Sequence, residues 1–127
     1  MRPIRLILAL LCAAAALLSG GGGALALENC VEPSAPGPVD GAAVTEDQMR
    51  GAAGAARSFI AQSDVYQACL ADALNAARTQ VAAEGKPLDP SLESAIRTKA
   101  AANQKLNEKV GAEINSAIGV YKETHLK

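Results

Sequence analysis

The chain has 127 residues, with 12 Lys and Arg against 13 Asp and Glu. A balance this close to neutral gives no reason to seek nucleic acid or anionic lipid. One Phe, two Tyr and no Trp leave few large side chains, so any core must be built mainly from thin aliphatic ones.

The first segment reads as an address. Arg2 and Arg5 precede an unbroken apolar run from Leu6 to Leu18, then a Gly-rich stretch, then Ala24-Leu25-Ala26. This is the pattern of a secretory signal peptide over residues 1–26, with cleavage after Ala26. The apolar run would rise about 20 Å as a helix, short of the roughly 30 Å hydrocarbon core, so no stable membrane span is expected after cleavage. Neither Cys12, preceded by Leu11, nor Cys30, preceded by Asn29, has the small neighbour that a lipidated cysteine needs. Without residues 1–26, ten basic residues face thirteen acidic ones, and of three cysteines only Cys30 and Cys69 remain. The expected address is the periplasm. About 100 residues then form one domain.

Residues 27–44 read as an extended arm. Pro33, Pro36 and Pro38, interleaved with Gly37 and Gly41, exclude helix and favour polyproline-like or turn conformations. Two cysteines in an exported chain are read first as one disulfide. Reach permits it. Cys69 should lie about 36 Å along the helix from Thr45, and the fifteen-residue arm from Cys30 spans ~46 Å when polyproline-like. An intermolecular bond and a redox-active pair are the alternatives, although no C-x-x-C is present.

Thr45 opens the first helix as an N-cap, with Gln48 completing a capping box and Glu46 placed to pair with Arg50. Apolar periodicity runs through Met49, Ala52, Ala56, Phe59, Ser63, Tyr66, Leu70, Ala73 and Ala77, until Gly85 and Pro87 end the helix. Asp89-Pro90 restarts it as N-cap and N1 proline. The second stripe is Leu92, Ile96, Ala100, Asn103, Leu106, Val110, Ile114, Ala117 with Ile118, and Tyr121. The expectation is an all-α fold, an antiparallel hairpin of helices at about 45–84 and 89–126. If both helices start level at the turn, Leu70 opposes Asn103, Phe59 opposes Ile114, Ala52 opposes Tyr121, and Gly54 opposes Gly119. Phe59, Ile60, Leu74, Val81, Ile114 and Ile118 spread wider than one helix–helix seam covers. Pairing of two hairpins into a four-helix bundle follows as the expected homodimer, with cover by the arm as the competing solution.

Candidate site residues are few. Asn103, a polar residue on an apolar stripe, reads as a register-setting group or as a ligand contact in a bundle core, with Tyr66 and Tyr121 beside it on the stripes. His125, the sole histidine, cannot by itself form a metal or catalytic centre. No catalytic residue, metal site or cofactor is indicated.

The motifs C-x-x-P-x-x-P (Cys30–Pro36), D-G-x-x-x-T-x-x-Q-M (Asp40–Met49) and F-I-A-x-S-D-x-Y-Q-x-C-L (Phe59–Leu70) carry a recognisable texture. Lys109–Lys122, K-V-G-A-E-I-N-S-A-I-x-x-Y-K, continues it. Together they resemble a group of small, exported, uncharacterised bacterial proteins with a Pro-rich start, a Y-x-x-C-L motif and two long helices. The resemblance implies location, the paired cysteines and a helical body, and brings no activity. The functional expectation is therefore a non-enzymatic structural or interaction protein of the bacterial envelope, partnered by a second copy or another envelope protein. A small-ligand-binding helical bundle is the alternative.

Overall fold

The computed structural model describes Leu27 and residues 29–127; the segment read as a signal peptide, residues 1–26, lies outside the described residues. Two helices make up the body, α1 (Glu46–Ala83) and α2 (Pro90–His125), packed against each other as an antiparallel hairpin. No helix among the described residues is long and apolar enough to cross a membrane.

Local chemistry sets the helix ends. The Thr45 hydroxyl accepts from the Gln48 N–H while the Gln48 side chain accepts from the Thr45 N–H, which satisfies two of the orphan donors of the first turn. Glu46 holds Arg50 at 2.6 Å. At the other end Gly85 takes φ +67°, and the N–H groups of Lys86 and Gly85 donate to the carbonyls of Val81 and Ala82. That pattern is a Schellman cap, and the left-handed position is one that glycine adopts without strain. Asp89 then caps α2 through the Ser91 N–H at 2.8 Å, ahead of Pro90.

The seam has two apolar clusters. Ala56, Phe59 and Val110 form one, with Ile60, Leu106, Ile114 and Ala35 against it. Tyr66, Leu70 and Ile96 form the other, with Leu74, Leu92, Ala100, Leu27 and Cys30 against it. The register differs from a level start. Asn103 bonds to Ser63 and Gln67 rather than opposing Leu70, while Leu70 packs in the cluster of Ile96. The helices are offset by one to two turns, about 5–10 Å. The Schellman cap is the cause: it turns the chain back, so that residues 86–89 descend beside the end of α1 before Pro90 begins α2. The pairing of Gly54 with Gly119 belongs to the level start and goes with it. A Cβ at either glycine would meet nothing within 4 Å, so neither marks a close backbone approach.

The arm runs back along the hairpin, antiparallel to α1. Cys30 is bonded to Cys69, with Cα atoms 5.6 Å apart. Ala35 packs on the Phe59 cluster, Pro36–Val39 lie beside Ala52, Ala56, Val110 and Ile114, and Gly41 is buried against Ala117 and Tyr121 of α2. With the arm in place, Phe59 is buried and Ile60, Leu74, Val81, Ile114 and Ile118 are half-buried rather than exposed. The arm thus covers part of the apolar face from which a four-helix bundle is expected, through Leu27, Cys30 and Ala35.

Candidate functional site

Between the two apolar clusters lies a polar layer built by both helices. Ser63 and Asn103 are fully buried, and the Asn103 amide Nδ2 donates to the Ser63 hydroxyl at 3.2 Å. From α1, the Gln67 Nε2 donates to Asn103 Oδ1 at 2.9 Å and to the Ala100 carbonyl at 2.8 Å. A buried amide left unpaired is costly, and here each end of the Asn103 amide has a partner across the seam. Because sliding either helix by a turn would break all three bonds, the layer favours one register. One turn on, Asn107 buries its Oδ1 without a partner among the described residues, so the layer closes around Asn103 alone. Asn103→Ala should cost about 1–3 kcal/mol through the stranded Ser63 and Gln67 groups, read as a lower midpoint in chemical denaturation. An unchanged midpoint would deny the layer its structural role.

The other residues singled out in the sequence do not all converge here. Tyr66 is buried in the Leu70 cluster, beside the layer. Burial pushes its hydroxyl above the usual phenol value, and the negative charge of Glu32 on the arm adds to the rise. Tyr121 lies 18 residues further along α2 than Asn103, about 27 Å away along the helix. Its ring stacks on His125, centroids 4.5 Å apart, and His125 Nδ1 lies 3.2 Å from the Tyr121 carbonyl oxygen. This pair finishes α2, where a basic group suits the dipole. Among the described residues no three His, Cys, Asp or Glu side chains are grouped to hold a metal ion.

The feature missed from sequence is the crossing of the arm onto α2 at Gly41. Pro33 and Gly41 are the arm's two buried residues. A Cβ built on Gly41 would collide with the Ala117 carbonyl oxygen and crowd the Tyr121 nitrogen, so only glycine fits this crossing. The D-G pair at Asp40–Gly41 is the available signal, but it reads equally as an ordinary turn. Gly41→Val should lift the arm off α2 and cost about 1–3 kcal/mol, as overpacking does. Chemical-shift changes at Ala117–Tyr121 would report the displacement, and their absence would contradict the close approach.

Two recesses flank the arm. The first, about 30 Å³ between Pro36–Val39 and Ala52, Ala56, Val110, Glu113 and Ile114, has room for water but not for a metabolite. The second is an open apolar trough of Val31, Pro33, Ser58, Ala61, Gln62 and Val65 on the outer side of α1, where Val31 and Val65 are 81% and 72% exposed. Neither is lined by Asn103.

At the turn, Glu93 bridges Arg97 at 2.6 Å and Arg78 at 2.8 Å. Its carboxyl is held below the ordinary 4.5 by the Arg97 hydrogen bond first and Arg78 second. The Asp89 carboxyl sits below 3.8 because the Ser91 backbone N–H, then its hydroxyl, bond to it. Both groups are therefore more acidic folded than unfolded, so their stabilisation is complete above the unfolded values and is lost as pH falls through the folded ones. The start of α2 should fray as pH falls below about 4, seen as loss of helical Cα shifts at Ser91–Glu93. Constant shifts over that range would contradict the capping role.

No family model, curated protein or solved structure matches this chain.

Proposed function

We propose that this is an exported, non-enzymatic structural or interaction protein of the bacterial cell envelope, working in the periplasm, with a second copy of itself or another envelope protein as partner. The observation that carries this reading is the closed Ser63–Gln67–Asn103 layer. Its buried amide is consumed by the seam's own groups, which supports a register-setting role over the alternative of a ligand held at Asn103 in a bundle core. The Cys30–Cys69 bond supports an oxidising compartment, since such bonds persist outside the cytosol. The basic start, apolar run and Ala24-Leu25-Ala26 of the sequence support export.

Cell fractionation with N-terminal sequencing tests the address, and Asn103→Leu tests the role. Expected are a periplasmic protein beginning at Leu27, and an Asn103→Leu variant that keeps its helices yet shows several hairpin registers by cross-linking. Recovery of the full-length chain in the membrane would overturn the address. A small molecule that copurifies with the native protein and is lost on Asn103→Leu would overturn the structural role in favour of the ligand reading.

A further inference from the structure

We propose that the flank of the seam away from the arm is a homodimer interface. In it, α1 of one copy packs antiparallel on α1 of a second, about a two-fold axis at Ile60, with reciprocal Arg57–Asp64 ion pairs. This rests on the self-association part of the reading above and names its surface, and it is independent of where the protein resides.

The helical period separates two flanks of α1. One is taken by the arm, through the Cys30–Cys69 bond and through Val31 and Pro33 lying beside Ser58, Gln62 and Val65. The other carries Ala53, Ile60 and Gln67, which recur every seven residues and are half-buried. On α2 the matching series is Ala100, Asn107 and Ile114, also half-buried. The bond from Gln67 Nε2 to the Ala100 carbonyl puts both series on one face of the hairpin. Seven residues along each helix from that bond, Ile60 stands level with Asn107.

This face is complementary to a second copy of itself. Outward from the Ile60–Ala61 step, α1 presents Arg57 on one side and Asp64 on the other, then Ala53 and Ala68. Turned end for end, the stripe meets itself with Arg57 opposite Asp64, Ala53 opposite Ala68 and Ile60 opposite Ala61. That is the reciprocal pairing a two-fold interface requires, and its alanines let the two helices approach closely. Arg57 and Asp64 are exposed, and neither takes part in the ion pairs among the described residues. The same axis crosses α2 at Asn107, whose Oδ1 is buried without a partner among the described residues. There the two Asn107 amides, turned towards each other, each donate Nδ2 to the other's Oδ1. Starting from Glu46, the overlap of the two α1 helices runs over residues 46–75, about 45 Å. Across two helices, each about 10 Å wide, the footprint is on the order of 800 Å² per copy, the size of a standard stable interface.

The test is sedimentation equilibrium of the oxidised protein and of its Arg57→Asp and Asp64→Arg variants, alone and mixed in equal amounts, with far-UV circular dichroism on the same samples. The unaltered chain is expected as a dimer. Each reversal sets like charges opposite each other at both symmetry-related positions and should weaken the dimer by about tenfold or more. Mixing the two variants should restore it as a heterodimer, because a stripe with two acids then meets a stripe with two bases. The helical signal should stay constant throughout, since both side chains are exposed on their own hairpin. A dimer indifferent to both reversals, or a mixture no tighter than either variant alone, would overturn this interface and leave self-association to another surface. A monomer at high micromolar concentration would overturn it together with self-association, leaving another envelope protein as the partner.

Discussion

Replacing both Cys30 and Cys69 by Ser should free residues 31–44 to proteases while α1 and α2 remain helical. The bond spans 39 residues, and in the chain-entropy account a loop of that length is worth about 4 kcal/mol. Little else holds this stretch. Its attachments are a few half-buried side chains and two buried residues, Pro33 and Gly41, whereas each helix carries its own hydrogen-bond ladder and the seam carries both clusters. Structure is lost first where apolar contacts are few and backbone bonds are not internal. Limited proteolysis with and without reductant, followed by circular dichroism, reads both halves of the expectation. An arm as resistant as before would show that packing alone seats it. Helices that melt together with the arm would show that the bond staples the entire fold.

The second large effect is expected at Phe59. It is the only phenylalanine, it is 2% exposed, and Ala56, Val110, Ile114 and the arm's Ala35 are grouped around it. Truncating a buried phenylalanine to alanine costs about 3–5 kcal/mol, as lost transfer energy plus the cavity left behind. Three of its six neighbours, Ala35, Ala56 and Val110, have no length with which to fill that space. Against a total stability of about 5–15 kcal/mol for a domain, Phe59→Ala removes a large share, equivalent to roughly 15–30 °C in melting temperature at this size. Calorimetry would measure it. A fall of only a few degrees would mean that the arm collapses into the cavity and that the groove is more plastic than its packing suggests.

Much of this architecture is legible in the sequence because it rests on local chemistry. The capping box at Thr45 and Gln48, the Asp89-Pro90 start and the glycine stop at Gly85 are decided within four or five residues; both helices begin, and α1 ends, at these signals. The apolar period picks out Met49, Ala56, Phe59, Ser63, Tyr66, Leu70, Ala73 and Ala77, which are the buried residues of α1. Register is not legible at the same level. It depends on how far the chain descends after the Schellman cap, a geometric detail of residues 85–89 that the helical period does not encode. Hence a level start sets Asn103 opposite Leu70 instead of Ser63 and Gln67, and Gln67 escapes notice because a glutamine at the edge of a stripe looks like a solvated one. The seat of Gly41 is hidden for a related reason: only a three-dimensional crossing with Ala117 shows why that glycine lacks a side chain.

The docking of the arm on the hairpin is the claim on which the groove and the covered clusters depend. A nuclear Overhauser spectrum of the oxidised protein tests it most directly, at Gly41. Cross-peaks are expected from the Gly41 α-protons to Ala117 and to the Tyr121 amide proton, because the Gly41 backbone lies against both. Only sequential peaks to Asp40 and Ala42, with the relaxation of a free tail, would contradict it.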